Sequence, residues 1–108
     1  MMKAITVKEN ALSSPIEDCF GKTRYFCLFD DLSGKIDFVL NPGNNLPAHS
    51  GKKAVAFLVS LGVTSVISGN YGITVKKLLD KHGIQTVIIP SKYDTLSQLL
   101  GVMKSPDS

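Results

Sequence analysis

Four consecutive residues, Cys19-Phe20-Gly21-Lys22, bring a soft metal ligand, an aromatic ring, an unrestricted backbone position and a cation to one place. They sit within residues 9–23, a stretch with no periodicity between two strand-like segments. Loops longer than about 12 residues in a compact domain are usually functional or disordered. Thiolate is the form of cysteine that binds metal, and cations near in sequence, here Lys22 and Arg24, are expected to favour it. The same Cys19 beside Phe20 also reads as a small buried hydrophobe. Cys27 lies mid-strand among aromatics and reads as core. His49, just before Ser50-Gly51, is either a solvent-facing residue at a helix start or a second ligand. His82 falls in the last turn of its helix, where a cation complements the dipole, and stays outside the candidate site.

Gly69-Asn70-Tyr71-Gly72 joins a strand to a helix. Its glycines let backbone approach a ligand, and helix-start N–H groups attract anions. A plain tight turn is the competing reading, because the segment lacks both the GxGxxG pattern and the P-loop ending. Two soft ligands cannot close a structural zinc site, which normally takes four. They can hold one edge of an anionic cluster that brings its own sulfides, with Lys22 or Lys92 offsetting its charge. Enzymatic readings find little support. Ser13 and Ser14 have no neighbouring base and no GxSxG elbow. Strand one carries no carboxylate of the kind that holds paired metals in a two-metal nuclease.

These residues must be positioned by the elements around them. Residues 3–8 alternate and predict strand one; 24–30 and 35–40 predict strands two and three, joined by a tight turn at Asp31-Leu32-Ser33-Gly34. Ala54, Leu58 and Leu61 recur at helical spacing, with Gly62 as the stop. Residues 63–68 predict a strand. Val75, Leu78, Leu79 and His82 predict a helix ended by Gly83, and residues 84–90 the last strand. Leu96, Leu99, Leu100 and Met103 form an apolar stripe behind a capping box, Thr95-Leu96-Ser97-Gln98. The order β-β-β-α-β-α-β-α implies a mixed five-stranded sheet with helices on its faces.

Directionality then sorts the loops. If strand two runs antiparallel to strand one, the loops at 9–23, 41–49, 69–72 and 91–93 all fall at the edge formed by the carboxyl ends of the parallel strands. That is where ligands bind in open α/β sheets. Cys19 and His49 are expected to face each other there.

The 108 residues suit one domain, expected over 1–103, with 104–108 a flexible tail. No apolar run reaches the roughly 18 residues of a membrane span, and the start of the chain lacks a signal-peptide pattern. A cytoplasmic protein with no membrane partner is expected. The net charge of +3 is thinly spread, with basic doublets only at Lys52-Lys53 and Lys76-Lys77. Nucleic-acid binders concentrate such charge on one face, so no nucleic-acid partner is expected. Two cysteines without a secretion signal do not make a disulfide framework.

Ser14, Phe20-Gly21-Lys22, Tyr25-Phe26, Asp30, His49-Ser50-Gly51, Gly62-Val63, residues 66–72 and Gly83-Ile84, in this order and spacing, resemble the dinitrogenase iron–molybdenum cofactor biosynthesis family. The resemblance spans about Lys3 to Leu100. It implies a three-layer α/β/α, ribonuclease-H-like fold without nuclease activity. It also implies a non-enzymatic protein, related to nitrogen fixation, that binds or carries an iron–sulfur or molybdenum–sulfide cluster during cofactor assembly. Cofactor-assembly proteins would be its partners, and it would be a monomer or weak dimer, with or without a group when isolated. Members commonly carry His where Cys19 stands. Cysteine is the softer ligand, which shifts preference toward iron–sulfur, copper or molybdenum–sulfide species. The expected contacts are Cys19 and His49 as metal ligands, with Phe20, Gly21, Lys22, Gly69, Asn70 and Gly72 around the cargo. A metal-free interaction or regulatory domain, and a small-anion or nucleotide binder using 69–72, are the alternatives.

Overall fold

Alternating apolar residues set the strands, and glycines in the left-handed region end the helices. The computed structural model describes residues 1–46, 49–89 and 93–103. Its elements are β1 (Met2–Val7), β2 (Tyr25–Asp30), β3 (Ile36–Leu40), α1 (Ser50–Ser60), β4 (Val63–Ser68), α2 (Ile73–Lys81), β5 (Gln85–Ile88) and α3 (Leu96–Met103). These are the eight elements that the sequence pattern predicts, in that order, with ends displaced by a residue or two. The last strand is the shortest against expectation. It stops at Ile88, and Pro90 lies outside the described residues.

The sheet order is β3-β2-β1-β4-β5. β2 is antiparallel to β1 and to β3, while β1, β4 and β5 are parallel. This is the mixed five-stranded sheet of the expected ribonuclease-H-like arrangement. Gly34 makes the β2–β3 turn with φ 75°, and its N–H donates to Asp30 O at 2.8 Å. Gly62 and Gly83 follow α1 and α2 with φ 77° and 69°. A side chain there would strain the backbone, so these glycines stop the helices.

Period-two alternation divides the apolar residues between the two faces. Ala4, Phe26, Leu28 and Val66 pack under α1 and α2 with Ala54, Leu58 and Leu79. Ile5, Val7, Cys27, Phe29 and Ile67 pack on the other face under Leu96, Leu99 and Leu100 of α3. The result is three layers, α/β/α. The capping box of α3 forms as predicted: Gln98 N–H donates to Thr95 Oγ1 and Thr95 N–H donates to Gln98 Oε1, each at 3.3 Å.

The long loop after β1 is ordered by buried polar groups. Ser14 Oγ accepts from the N–H groups of Lys8 and Glu9 at 3.1 and 2.8 Å. Thr6 Oγ1 donates to Glu17 O at 2.6 Å, and Thr23 Oγ1 donates to Val7 O at 2.9 Å. Asn41, at the end of β3, ties two loops together. Its Nδ2 donates to Gly21 O and Thr23 O, and its Oδ1 accepts from Gly43 N–H at 2.9 Å. Removing a partner from buried polar groups costs more than one hydrogen bond is worth. Asn41→Ala should therefore lower the unfolding free energy by about 2 kcal/mol in urea titrations. An exposed asparagine of similar size, such as Asn45, should give a change near zero.

Candidate functional site

Because β2 turns back antiparallel, the loops following β1, β3 and β4 meet at one edge. Cys19 forms a parallel bridge with Asn70, so the long loop lies against the exit from β4. Ser68 Oγ donates to Asp18 O at 3.3 Å, which fixes the same junction. Lys22 Nζ donates to Leu46 O at 2.9 Å, tying this loop to the one after β3. The fourth expected loop falls partly on Ser91 and Lys92, which lie outside the described residues.

The meeting point is a cleft of about 280 Å³. Its walls include Cys19, Phe20, Gly21, Lys22, Asn70 and Gly72, six of the eight residues singled out from the sequence. Cys19 is exposed and carries a free thiol. Phe20 lines the cleft but buries its ring: it is 1% exposed, with centroids 5.5 Å from Phe26 and 6.1 Å from Tyr71. Its side chain anchors the loop. Gly69 lies beneath, where a Cβ would come within 2.6 Å of Asp18 Oδ1 and 2.9 Å of Asp18 Cα. Glycine there permits the loop to dock.

His49 occupies an adjoining hollow with Lys52 and Thr74, which shares Ser50, Gly51 and Val75 with the cleft. It is exposed and is the N-cap of α1, in the left-handed region at φ 61°, and its side chain caps nothing. It is the one non-glycine residue with positive φ among the described residues. Cys19 and His49 thus stand at the same edge on neighbouring depressions.

Four cleft residues are not among the contacts expected from the sequence: Asp18, Ser50, Gly51 and Val75. Gly51 carried a legible signal as a glycine in a first helical turn. A Cβ there would collide with Val75 Cγ2, so the starts of α1 and α2 pack against each other. Neither helix has a side-chain cap or an acidic residue in its first turn. The α3 start differs, since the N–H groups of Leu96 and Ser97 donate to Ser14 O and Leu12 O at 2.9 Å. Two helix N-termini, each with unsatisfied N–H groups and a positive dipole end, therefore open beside the cleft. Lys22 adds a cation and Asp18 an opposing carboxylate. Cys19 N–H donates to Glu17 Oε2 at 3.2 Å. Among the described residues no three of His, Cys, Asp and Glu group as ligands for a metal ion.

Tyr71 braces the cleft from below. Its hydroxyl sits between β4 and β5, 2.7 Å from Val66 O and from Val87 O, which share its proton, and accepts from Val87 N–H at 3.3 Å. Burial pushes its pKa up to about 12.

A family model described as dinitrogenase iron-molybdenum cofactor matches residues 1–103. No curated protein matches the chain. Among solved structures, the apo orange protein of Desulfovibrio gigas superposes with TM-score 0.83 at 20% identity, over 93% of this chain and 83% of that one. An NMR structure of a putative NifB protein from Thermotoga, described as a DUF35 family member, gives TM-score 0.77 at 27% identity, over 94% and 84%. The first likeness is one of fold.

Two outcomes follow from the packing. Phe20→Ala should destabilise the fold by about 3–5 kcal/mol, measured by denaturant unfolding, because it empties an aromatic site in the core. Tyr71 gives a pH signature. Its unfolded pKa is near 10 and its folded one about 12. Above pH 10 the unfolded chain loses a proton that the native state keeps, so stability falls as pH rises through this window. The stability advantage of wild type over Tyr71→Phe, about 1 kcal/mol below pH 10, should shrink as pH rises above it.

Proposed function

The chain belongs to the dinitrogenase iron-molybdenum cofactor family, and from that premise we propose that it binds and carries an anionic metal–sulfur cluster during cofactor assembly. The cluster is cargo, of iron–sulfur or molybdenum–sulfide type, and the protein performs no covalent chemistry on it. The observation that supports this reading most is the company kept by Cys19. An exposed thiol shares one cleft with two uncapped helix starts and Lys22.

The donor set suits such cargo. A lone thiolate cannot satisfy a bare metal ion, whereas a cluster whose metals are already largely saturated by its own sulfides needs few protein bonds and a shell of N–H donors. Glycines at 21, 51 and 72 keep the walls low; a Cβ on Gly21 would press on Ser50 Oγ at 3.0 Å and Gly51 N at 3.2 Å. Few protein bonds and a polar rim allow release to an acceptor. His49, one hollow away, is proposed as a second ligand for cargo large enough to span both depressions, in a cytoplasmic protein acting with assembly partners.

Charge separates this reading from its neighbours. For an anionic cluster, Asp18 is a repulsive element and its removal should help. Anaerobic titration with tetrathiomolybdate, followed by absorbance, should show saturable uptake by the wild type. Cys19→Ala should weaken it at least about tenfold and Asp18→Asn should strengthen it, with a change of 1.4 kcal/mol per tenfold. Equal uptake by wild type and by the Cys19→Ala, His49→Ala double variant would remove both ligand assignments. Weaker binding by Asp18→Asn would point to a cationic cargo instead.

A further inference from the structure

β5 is an open edge. The strand order ends there, so among the described residues one side of Gln85–Ile88 has no strand beside it. Hydrogen bonding decides which groups face outward. Ile89 N–H donates to Ser68 O on the β4 side at 3.0 Å, and Val87 N–H donates to the Tyr71 hydroxyl lodged between β4 and β5. With a period of two, Thr86 and Ile88 turn their N–H and C=O groups away from β4.

The side chains of Thr86 and Ile88 line a groove of about 370 Å³ with Ile73, Lys76 and Lys77 of α2. Ile73 is 78% exposed and Ile88 58%, an apolar pair left in water. Natural edge strands are commonly blunted by shortness, a lysine, a proline or a bulge; Gln85-Thr86-Val87-Ile88 is short, at four residues, and carries none of the other three. The rim is cationic. α2 carries Lys76, Lys77 and Lys81 against one acid, Asp80, which pairs with Lys76 at 3.2 Å.

We propose that this edge docks an extended, acidic segment of a partner protein by strand addition to β5. Its backbone would pair with Thr86 and Ile88, its apolar side chains would cover Ile73 and Ile88, and its carboxylates would face Lys76 and Lys77. Charge selects this occupant over a second copy of the chain. A two-fold pairing of β5 with itself brings the lysines of both α2 helices to the same side of the seam, and like charges oppose it. Asn70 lines both this groove and the Cys19 cleft, so a docked segment would lie beside the cleft mouth. The surface stands whether or not the cleft takes a cluster.

The test is a heteronuclear NMR titration of the full chain with two capped peptides of about six residues, a typical strand length. One alternates valine with glutamate and the other valine with lysine. The glutamate peptide should shift the amides of 85–88 and 73–77 and bind about tenfold tighter, a preference that fades with salt. The double reversal Lys76→Glu, Lys77→Glu should invert that preference. Ile88→Pro removes an outward N–H together with the exposed isoleucine side chain, neither of which the core uses, so it should weaken binding while leaving thermal unfolding largely unchanged. Should the proline variant fail to fold, the charge reversal still decides. Equal binding of both peptides, shifts confined to other surfaces, or no binding at about millimolar peptide would overturn the proposal. So would sedimentation showing a dimer that Ile88→Pro disrupts.

Discussion

The burial of Phe20 is the constraint on which the site depends. Its ring enters the core between Phe26 and Tyr71, and Cys19 beside it is thereby held at the surface. Cys19 is exposed because Phe20 is not. A long loop without secondary structure would otherwise be mobile, since ordering each residue costs about 1–2 kcal/mol of backbone entropy. Here one aromatic anchor and the hydrogen bonds of Ser14, Thr23 and Asn41 offset that cost. Tyr71 extends the brace to β4 and β5, so the floor of the cleft is continuous with the sheet.

The antiparallel turn at β2 is the second determinant. It returns the chain so that the exits of β1, β3 and β4 lie on one side, and it sets α1 and α2 side by side on one face. Their starts approach closely enough that Gly51 has no room for a side chain beside Val75. Two unsatisfied helix ends then open toward the thiol. The cleft is a consequence of chain direction as much as of residue type.

This explains what was legible in the sequence. Alternation and helical spacing gave all eight elements, and Gly34, Gly62 and Gly83 marked their ends because each requires positive φ. The clustering of residues 19–22 with 70 and 72 followed from strand direction alone. Relations that depend on side-chain packing were not legible. Phe20 was expected to touch cargo, yet its ring is core, because spacing cannot tell an aromatic that faces a ligand from one that anchors a loop. His49 was expected opposite Cys19 and lies in the next hollow, since topology fixes an edge and not a position along it. Asn41 and Thr23 looked like ordinary loop polar residues; only burial reveals them as clamps.

Whether the cleft at Cys19 is the cargo site is decided by mapping, residue by residue, where tetrathiomolybdate meets the anaerobic protein in backbone amide NMR spectra. Saturable shifts are expected at Cys19 to Lys22 and at the first turns of α1 and α2, with α3 unmoved because loop carbonyls already occupy its N–H groups. Shifts absent from the Cys19 loop, or spread evenly over surface lysines, would contradict that assignment.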